Sequence, residues 1–382
     1  MRTTTTLIIA ILAASFAASS AWAAQSQGEG AKENNVQAVS IGELVRDLKA
    51  AKTEQEKTAV LNKKGSGGRP QNLKDVEDLM DLATTSKSSM DRSFALDGLG
   101  RVPPNKEFAT PFLRALDSDD RDVRVVAMRN LRRMKHTGAL PHIRRILRDY
   151  NSMAFKAAKL VDKRKARAIA SEGSEAALFL AEQRDNEGLN ILLEKIEGLE
   201  NGGCTALGRY GKMALPRILE LARDRKKKDY GMGALVQIED KDAEDELIQI
   251  VEDVNEDGVI RQTATHALVT RIKSDKFLDR LEGAVSTGQM AKYEKVLPYA
   301  CRHSGNKRGA AILAKYLAQI PDGSYDGLLK RQLVITYLGE MSNPVAVPAL
   351  ESQLKHQNKD IRELAAFALK QITGRDYPWS KP

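Results

Sequence analysis

Residues 109–131 read ATPFLRALDSDDRDVRVVAMRNL, and two helices are legible in them. Proline at 111 sits two residues after Ala109, where a first helical turn loses no hydrogen bond to it and its fixed φ is already helical. Leu113 follows at the next inward position. The run Asp117-Ser118-Asp119-Asp120 is a polar turn, and its last residue has the side chain that accepts from free backbone N–H groups at a helix start. From Asp120 the apolar or small residues Val123, Ala127 and Leu131 fall at spacings of three, four and four, which makes one buried stripe on a second helix. A basic residue, Arg124, stands directly after the first of them.

Working outward, the second of these patterns returns along the chain. Ser88, Arg92, Ala95 and Leu99 repeat it, with Asp91 at the position where an apolar residue is expected. Asp257, Ile260, Arg261, Ala264 and Leu268 repeat it in full, as do Asn358, Ile361, Arg362, Ala365 and Leu369. Gly327, Lys330, Arg331, Val334 and Leu338 form a looser copy, and Ser152 with Lys156 a degraded one. The proline-opened helix recurs at Ala139-x-Pro141, Ala214-x-Pro216 and Ala346-x-Pro348, each with Ile or Leu two residues on, at Ile143, Ile218 and Leu350. Measured on the basic residue, Arg92 to Arg124 and Arg124 to Lys156 are 32 residues each, Arg331 to Arg362 is 31, and Arg261 to Arg331 is 70, two steps of 35. A single helix pair cannot bury its apolar face, whereas stacked pairs share one core, so this period predicts an all-α fold, an α-solenoid of about eight or nine stacked antiparallel helix pairs. Between about 162 and 228 the pattern blurs, with 204–208 and 233–238 as further helices of the second type.

A helix opening Ala-x-Pro-x-Leu, an acidic turn, then Val-Arg-x-x-Ala and a closing Leu resembles the short HEAT-like repeats of the phycobilisome-lyase type. The copies at Ala109 to Leu131 and Ala346 to Leu369 carry the resemblance most fully, and it spans roughly residues 75–374. It implies a right-handed solenoid of the HEAT/armadillo type and says nothing about a ligand. Tetratricopeptide repeats share the period but want bulky aromatics in the first helix and a proline closing the second. Ankyrin repeats require Thr-Pro-Leu-His at each turn, and that tetrapeptide is absent.

The chain begins with Arg2, an apolar run from Leu7 to Ala18, and Ser19-Ser20-Ala21-Trp22-Ala23. That is the pattern of a secretory signal peptide cleaved after Ala23; the run is shorter than the roughly 20 residues of a membrane span. A periplasmic or secreted protein without a transmembrane anchor is expected. Residues 24–40 are polar and read as a disordered leader. Residues 41–74 read as a helical cap, patterned from Ile41 to Asn62, plus the Gly-rich loop Gly65-Ser66-Gly67-Gly68-Arg69-Pro70. Repeats follow over 75–374, and 375–382 form a tail whose Tyr377 and Trp379 either cover the open end of the core or fray.

The sequence carries no familiar catalytic or metal-binding signature. The five histidines, His136, His142, His266, His303 and His356, are scattered without metal-binding spacing. No nucleophile elbow, phosphate loop or dinucleotide fingerprint occurs. Asp253-x-Asn255-x-Asp257-Gly258-x-Ile260 matches the start of a calcium loop, but its twelfth position is Ala264 rather than Glu, and Asp257 and Ala264 are already explained as N-cap and core residue. Cys204 and Cys301 stand about three repeats apart, too far for a disulfide at roughly 10 Å per helix layer, so two buried free thiols are expected. No cofactor and no metal are expected.

Charge is the functional clue. The chain carries 60 basic and 51 acidic side chains, a net +9. From Arg121 to Arg167 there are 15 basic and 3 acidic residues, and from Glu239 to Asp257 1 basic and 10 acidic. The candidate binding residues are therefore Arg129, Arg132, Arg133, Lys163, Arg164, Lys165 and Arg167, on a surface that either meets an anionic partner or is simply solvated. The leading expectation is an exported, non-enzymatic binding or scaffolding protein using a solenoid surface for a protein partner. An anion-binding module for acidic glycans or lipid headgroups is the alternative, and a lyase-type enzyme the minor one, since the resemblance extends to folds that host chromophore lyases and alkylpurine DNA glycosylases. Export argues against nucleic acid as the partner.

Overall fold

The computed structural model describes residues 41–64, 70, 72–150, 159–322 and 324–378, and no strand occurs among them. The expected signal peptide and leader, residues 65–69 of the Gly-rich loop, Ser152, Lys156 and Trp379 lie outside the described residues. Helices α1 (Ile41–Ala50) and α2 (Glu54–Lys64) occupy the stretch patterned as helical from Ile41 to Asn62. Next come α3 (Leu73–Thr85), α4 (Ser89–Gly100), α5 (Ala109–Ala115), α6 (Arg121–Arg133) and α7 (Leu140–Asp149). The middle holds α8 (Lys163–Glu182), α9 (Asn186–Arg209), α10 (Leu215–Arg223), α11 (Lys228–Val236), α12 (Glu244–Glu252) and α13 (Gly258–His266). The C-terminal third consists of α14 (Asp275–Thr287), α15 (Leu297–Ser304), α16 (Lys307–Leu317), α17 (Tyr325–Met341), α18 (Val347–Gln353) and α19 (Lys359–Thr373).

The helix starts follow the local chemistry. Ser88, Asp120, Asp257 and Asn358 each accept a backbone N–H two or three residues on, which satisfies donors that no intrahelical bond can reach. Prolines open α7, α10, α15 and α18 at the first or second position. Of these, Pro298 carries no alanine two residues before it. Gly327, read as a cap, lies inside α17, and the cap is Ser324, whose hydroxyl accepts from the Gly327 N–H at 3.0 Å. The helix therefore gains a turn at its start. Gly374, at φ 72, ends α19 in the left-handed conformation that glycine adopts without steric cost.

Every apolar stripe position of the well-formed copies is buried: Ala95, Leu99, Val123, Ala127, Leu131, Ile260, Ala264, Leu268, Val334, Leu338, Ile361, Ala365 and Leu369. Asp91, the exception, is 3 % exposed and survives there because the Lys57 ammonium lies 2.6 Å away and the Ser86 hydroxyl 2.7 Å. Packing is repeat-like. Helix α4 packs on α6, α6 on α8, α9 on α11, and α11, α13, α15, α17 and α19 each on the next. A parallel set runs α3 on α5, α14 on α16 and α16 on α18, and one apolar cluster extends from Ile41 to Leu369.

The blurred stretch has a physical cause. Helices α8 and α9 are 20 and 24 residues long, so a pair there outruns the 31 to 35-residue period and absorbs Cys204 to Gly208 into the end of α9. Cys204 and Cys301 are free and buried. Burial pushes the Cys204 thiol up to about 11 and the Cys301 thiol well above its ordinary value. Tyr377 packs against the end of the core. Among the described residues no helix is long and apolar enough to cross a membrane.

Candidate binding site

The arginines singled out by charge density sit on α6, and α8 answers them with glutamates. Arg121 and Arg124 share Glu172, at 2.7 and 2.6 Å. Arg129 and Arg132 share Glu175, at 3.1 and 2.7 Å, and Arg132 also reaches Glu182 at 2.6 Å. Glu172 and Glu175 are 8 % and 6 % exposed, so these carboxylates are desolvated and held by two guanidiniums each. Burial acts to lower the ionisation range of Arg132, but Glu175 and Glu182 outweigh it and hold it above the ordinary arginine value.

Helix α7 repeats the arrangement. Arg144 bonds Asp185 through Nε at 2.8 Å and reaches Glu187 at 2.7 Å, Arg148 reaches Glu187 at 2.8 Å, and Arg145 bonds Asp117. Burial works to raise the Asp185 carboxyl; the Arg144 guanidinium and the Gly188 N–H overcome it and hold the group below the usual carboxylate range. Seven of the arginines in the basic window are thus matched by carboxylates, most of them from further along the chain.

The anticipated patch therefore divides. Arg129 and Arg132 come together, but on Glu175. Arg133 is exposed and donates to the Gly100 carbonyl at 3.1 Å, with no carboxylate in reach among the described residues. Lys163, Arg164, Lys165 and Arg167 belong to the first turns of α8, and their side chains lie outside the described residues. A cleft of about 550 Å³ opens at one end of this lattice, where Arg121, Arg124 and Arg145 face Asp117, Asp149 and Glu172 beside Tyr150. Its charges balance, which suits a polar ligand better than a bare anion.

The repeated basic residue has a role that sequence reading left open. Arg124 donates to the Ser118 carbonyl at 2.6 Å and the Asp119 carbonyl at 3.1 Å. Arg261 donates to Val251 O at 2.8 Å, and Arg362 to His356 O and Gln357 O at 2.8 and 2.9 Å. Arg331 holds Gln353 and Asp322, both at 2.7 Å, and the Ile320 carbonyl. In these four copies the guanidinium binds carbonyls at the end or turn of a neighbouring helix, which no intrahelical donor can satisfy, whereas Arg92 lies 3.8 Å from Asp120. In the calcium-like loop, Asp253 accepts the Asn255 N–H at 2.9 Å and Asp257 caps α13.

A different surface was not foreseen. Tyr325, Leu329 and Leu333 on α17 are 78 %, 47 % and 42 % exposed, and Phe367 on α19 is 59 % exposed. The first three are spaced by four and line one side of their helix. With Arg331 matching Arg362, Phe367 takes the place of Thr336, one turn beyond Leu333, so the repeat register puts it on the outward side of α19, the helix that packs on α17. Charges beside them are paired: Lys330 with Glu294 and Asp326, Lys359 with Glu363 at 3.3 Å, and Arg302 with Glu340 at 2.7 Å. Exposed leucines at a four-residue spacing were readable as such once helix limits were known.

No family model and no curated protein matches the chain. Among solved structures it is similar to a crystal structure of an engineered protein at 15% identity, covering 87% of this chain and 98% of that one with a TM-score of 0.31. That superposition is too loose to bear on fold or function. The class that the chain's own packing defines is an all-helical protein of repeated helix pairs.

Proposed function

We propose that this chain is an exported, non-enzymatic binding protein, a HEAT-type solenoid that presents its helix faces to a protein partner in the cell envelope. The observation that carries the reading is the exposed apolar face of Tyr325, Leu329, Leu333 and Phe367. Large apolar side chains exposed at a four-residue spacing on one helix, with another on the helix packed beside it, fit a binding surface, and the paired charges around them favour an apolar contact over an electrostatic one. The repeat period, the neighbour-only packing and the signal-peptide pattern of residues 1–23 support the solenoid and the location. A second reading, an anion-binding module, keeps one specific support: Arg133 and Lys135 are exposed without carboxylate partners among the described residues.

Affinity capture from envelope extract at low and high salt separates the two. The apolar arm is Leu329→Glu with Leu333→Glu. The charge arm is Arg133→Glu with Lys135→Glu, because reversal at Arg129 or Arg132 would strand the buried Glu175. A partner held at high salt and lost only in the apolar arm is the expected result. A partner released by salt and lost only in the charge arm establishes the anion-binding reading. Retention by both variants, with circular dichroism confirming folded chains, overturns both.

A further inference from the structure

Two histidines 37 residues apart in sequence meet on the surface of the helix row. His266 closes α13, and Tyr299 and His303, four residues apart, share one side of α15. The His266 Nδ1 lies 2.9 Å from the Tyr299 hydroxyl. The His303 ring stacks on Tyr299 at 4.1 Å between centroids, and the two imidazole centroids are 5.9 Å apart at 65°. Among the described residues no partner engages His266 Nε2 or either nitrogen of His303, yet neither ring is sealed from solvent.

We propose that His266 and His303 form a two-imidazole site for a divalent transition-metal ion, with Tyr299 as the positioning residue that engages His266 Nδ1 and orients the ring. A metal–nitrogen bond of about 2.0–2.1 Å places each ring centroid roughly 3 Å from the ion, so two imidazoles share one ion at centroid separations up to about 6 Å. The hydroxyl contact at Nδ1 leaves Nε2 as the ligating atom, the arrangement by which outer groups orient metal-bound histidine. Burial, aided by Arg302 and His266, pushes His303 down to about 4, and burial, aided by Arg271, also lowers His266. Two neighbouring cations oppose a metal, but each is occupied: Arg271 pairs with Glu239 at 3.2 Å, and Arg302 pairs with Glu340 at 2.7 Å while lying over the Tyr337 ring. No group of three or more His, Cys, Asp or Glu comes together among the described residues, so water completes the shell. All-nitrogen donors suit Cu²⁺, Ni²⁺ and Zn²⁺, with Cu²⁺ held tightest.

The test is a calorimetric titration of the tag-free chain with Cu²⁺ alone, beside electron paramagnetic resonance of the complex. The expected result is one tight Cu²⁺ per chain with coupling to two nitrogens, at least about tenfold weaker binding in His303→Ala with the second nitrogen lost, and about tenfold weakening in Tyr299→Phe at unchanged stoichiometry. His303→Gln serves as a second variant, and unchanged melting of the metal-free chains shows that both variants fold. Absence of tight Cu²⁺ binding in the wild type, or binding that persists in both His303 variants, overturns the proposal.

Discussion

At the residue scale, the basic position of the repeat joins sequence to packing. Arg331 is 4 % exposed and bonds a turn carbonyl, an amide and a carboxylate at once. Arg331→Met keeps the packing volume and strands Ile320 O and Gln353, so we expect a loss of about 2–4 kcal/mol in urea unfolding; a change below about 0.5 kcal/mol would mean that the bonds are replaced by water. Lysine should rescue little, because it lacks the planar fork that reaches several acceptors. Asp185 gives a pH dependence. Its folded carboxyl lies below the usual range, so the stability it adds is fully present above the unfolded value of about 3.9 and is lost as pH falls through the folded one. Melting curves of wild type and Asp185→Asn should differ at pH 7 and converge on acidification below about pH 4. A constant gap would place the effect in capping alone.

At the element scale, α6 and α8 are locked by charge as well as by apolar contact. Arg129→Gln with Arg132→Gln leaves the 6 %-exposed Glu175 unmatched, and a destabilisation of about 3 kcal/mol is expected. Adding Glu175→Gln should recover most of it, and failure of that rescue would sink the pairing argument. Helix positions were largely legible in the sequence because caps, prolines and stripe residues act within a few residues of each other. The glutamates that quench the arginines were not, for they stand 43 to 51 residues away, and a charge count over a window has no knowledge of what folds against it. Arg129 and Arg132 are matched by Glu175 for that reason, while Arg129 and Arg133 both stay exposed.

At the scale of the whole molecule, each helix packs on its pair-mate and on adjacent pairs, so stability should be a sum of local terms. Ending the chain at residue 342, which removes α18 and α19, should lower helical content in proportion and leave a cooperative thermal transition for the remainder; complete unfolding would show one indivisible core. What the sequence determined by itself was the all-helical class, the helix pairs and the buried stripe, since caps, proline and apolar spacing are local rules that each repeat states again. The tertiary structure alone decided which charges are spent in pairs, that Tyr325, Leu329, Leu333 and Phe367 are left exposed, and that His266 meets His303. The pairings and the histidine contact depend on distances between separate helices, which spacing along the chain does not encode.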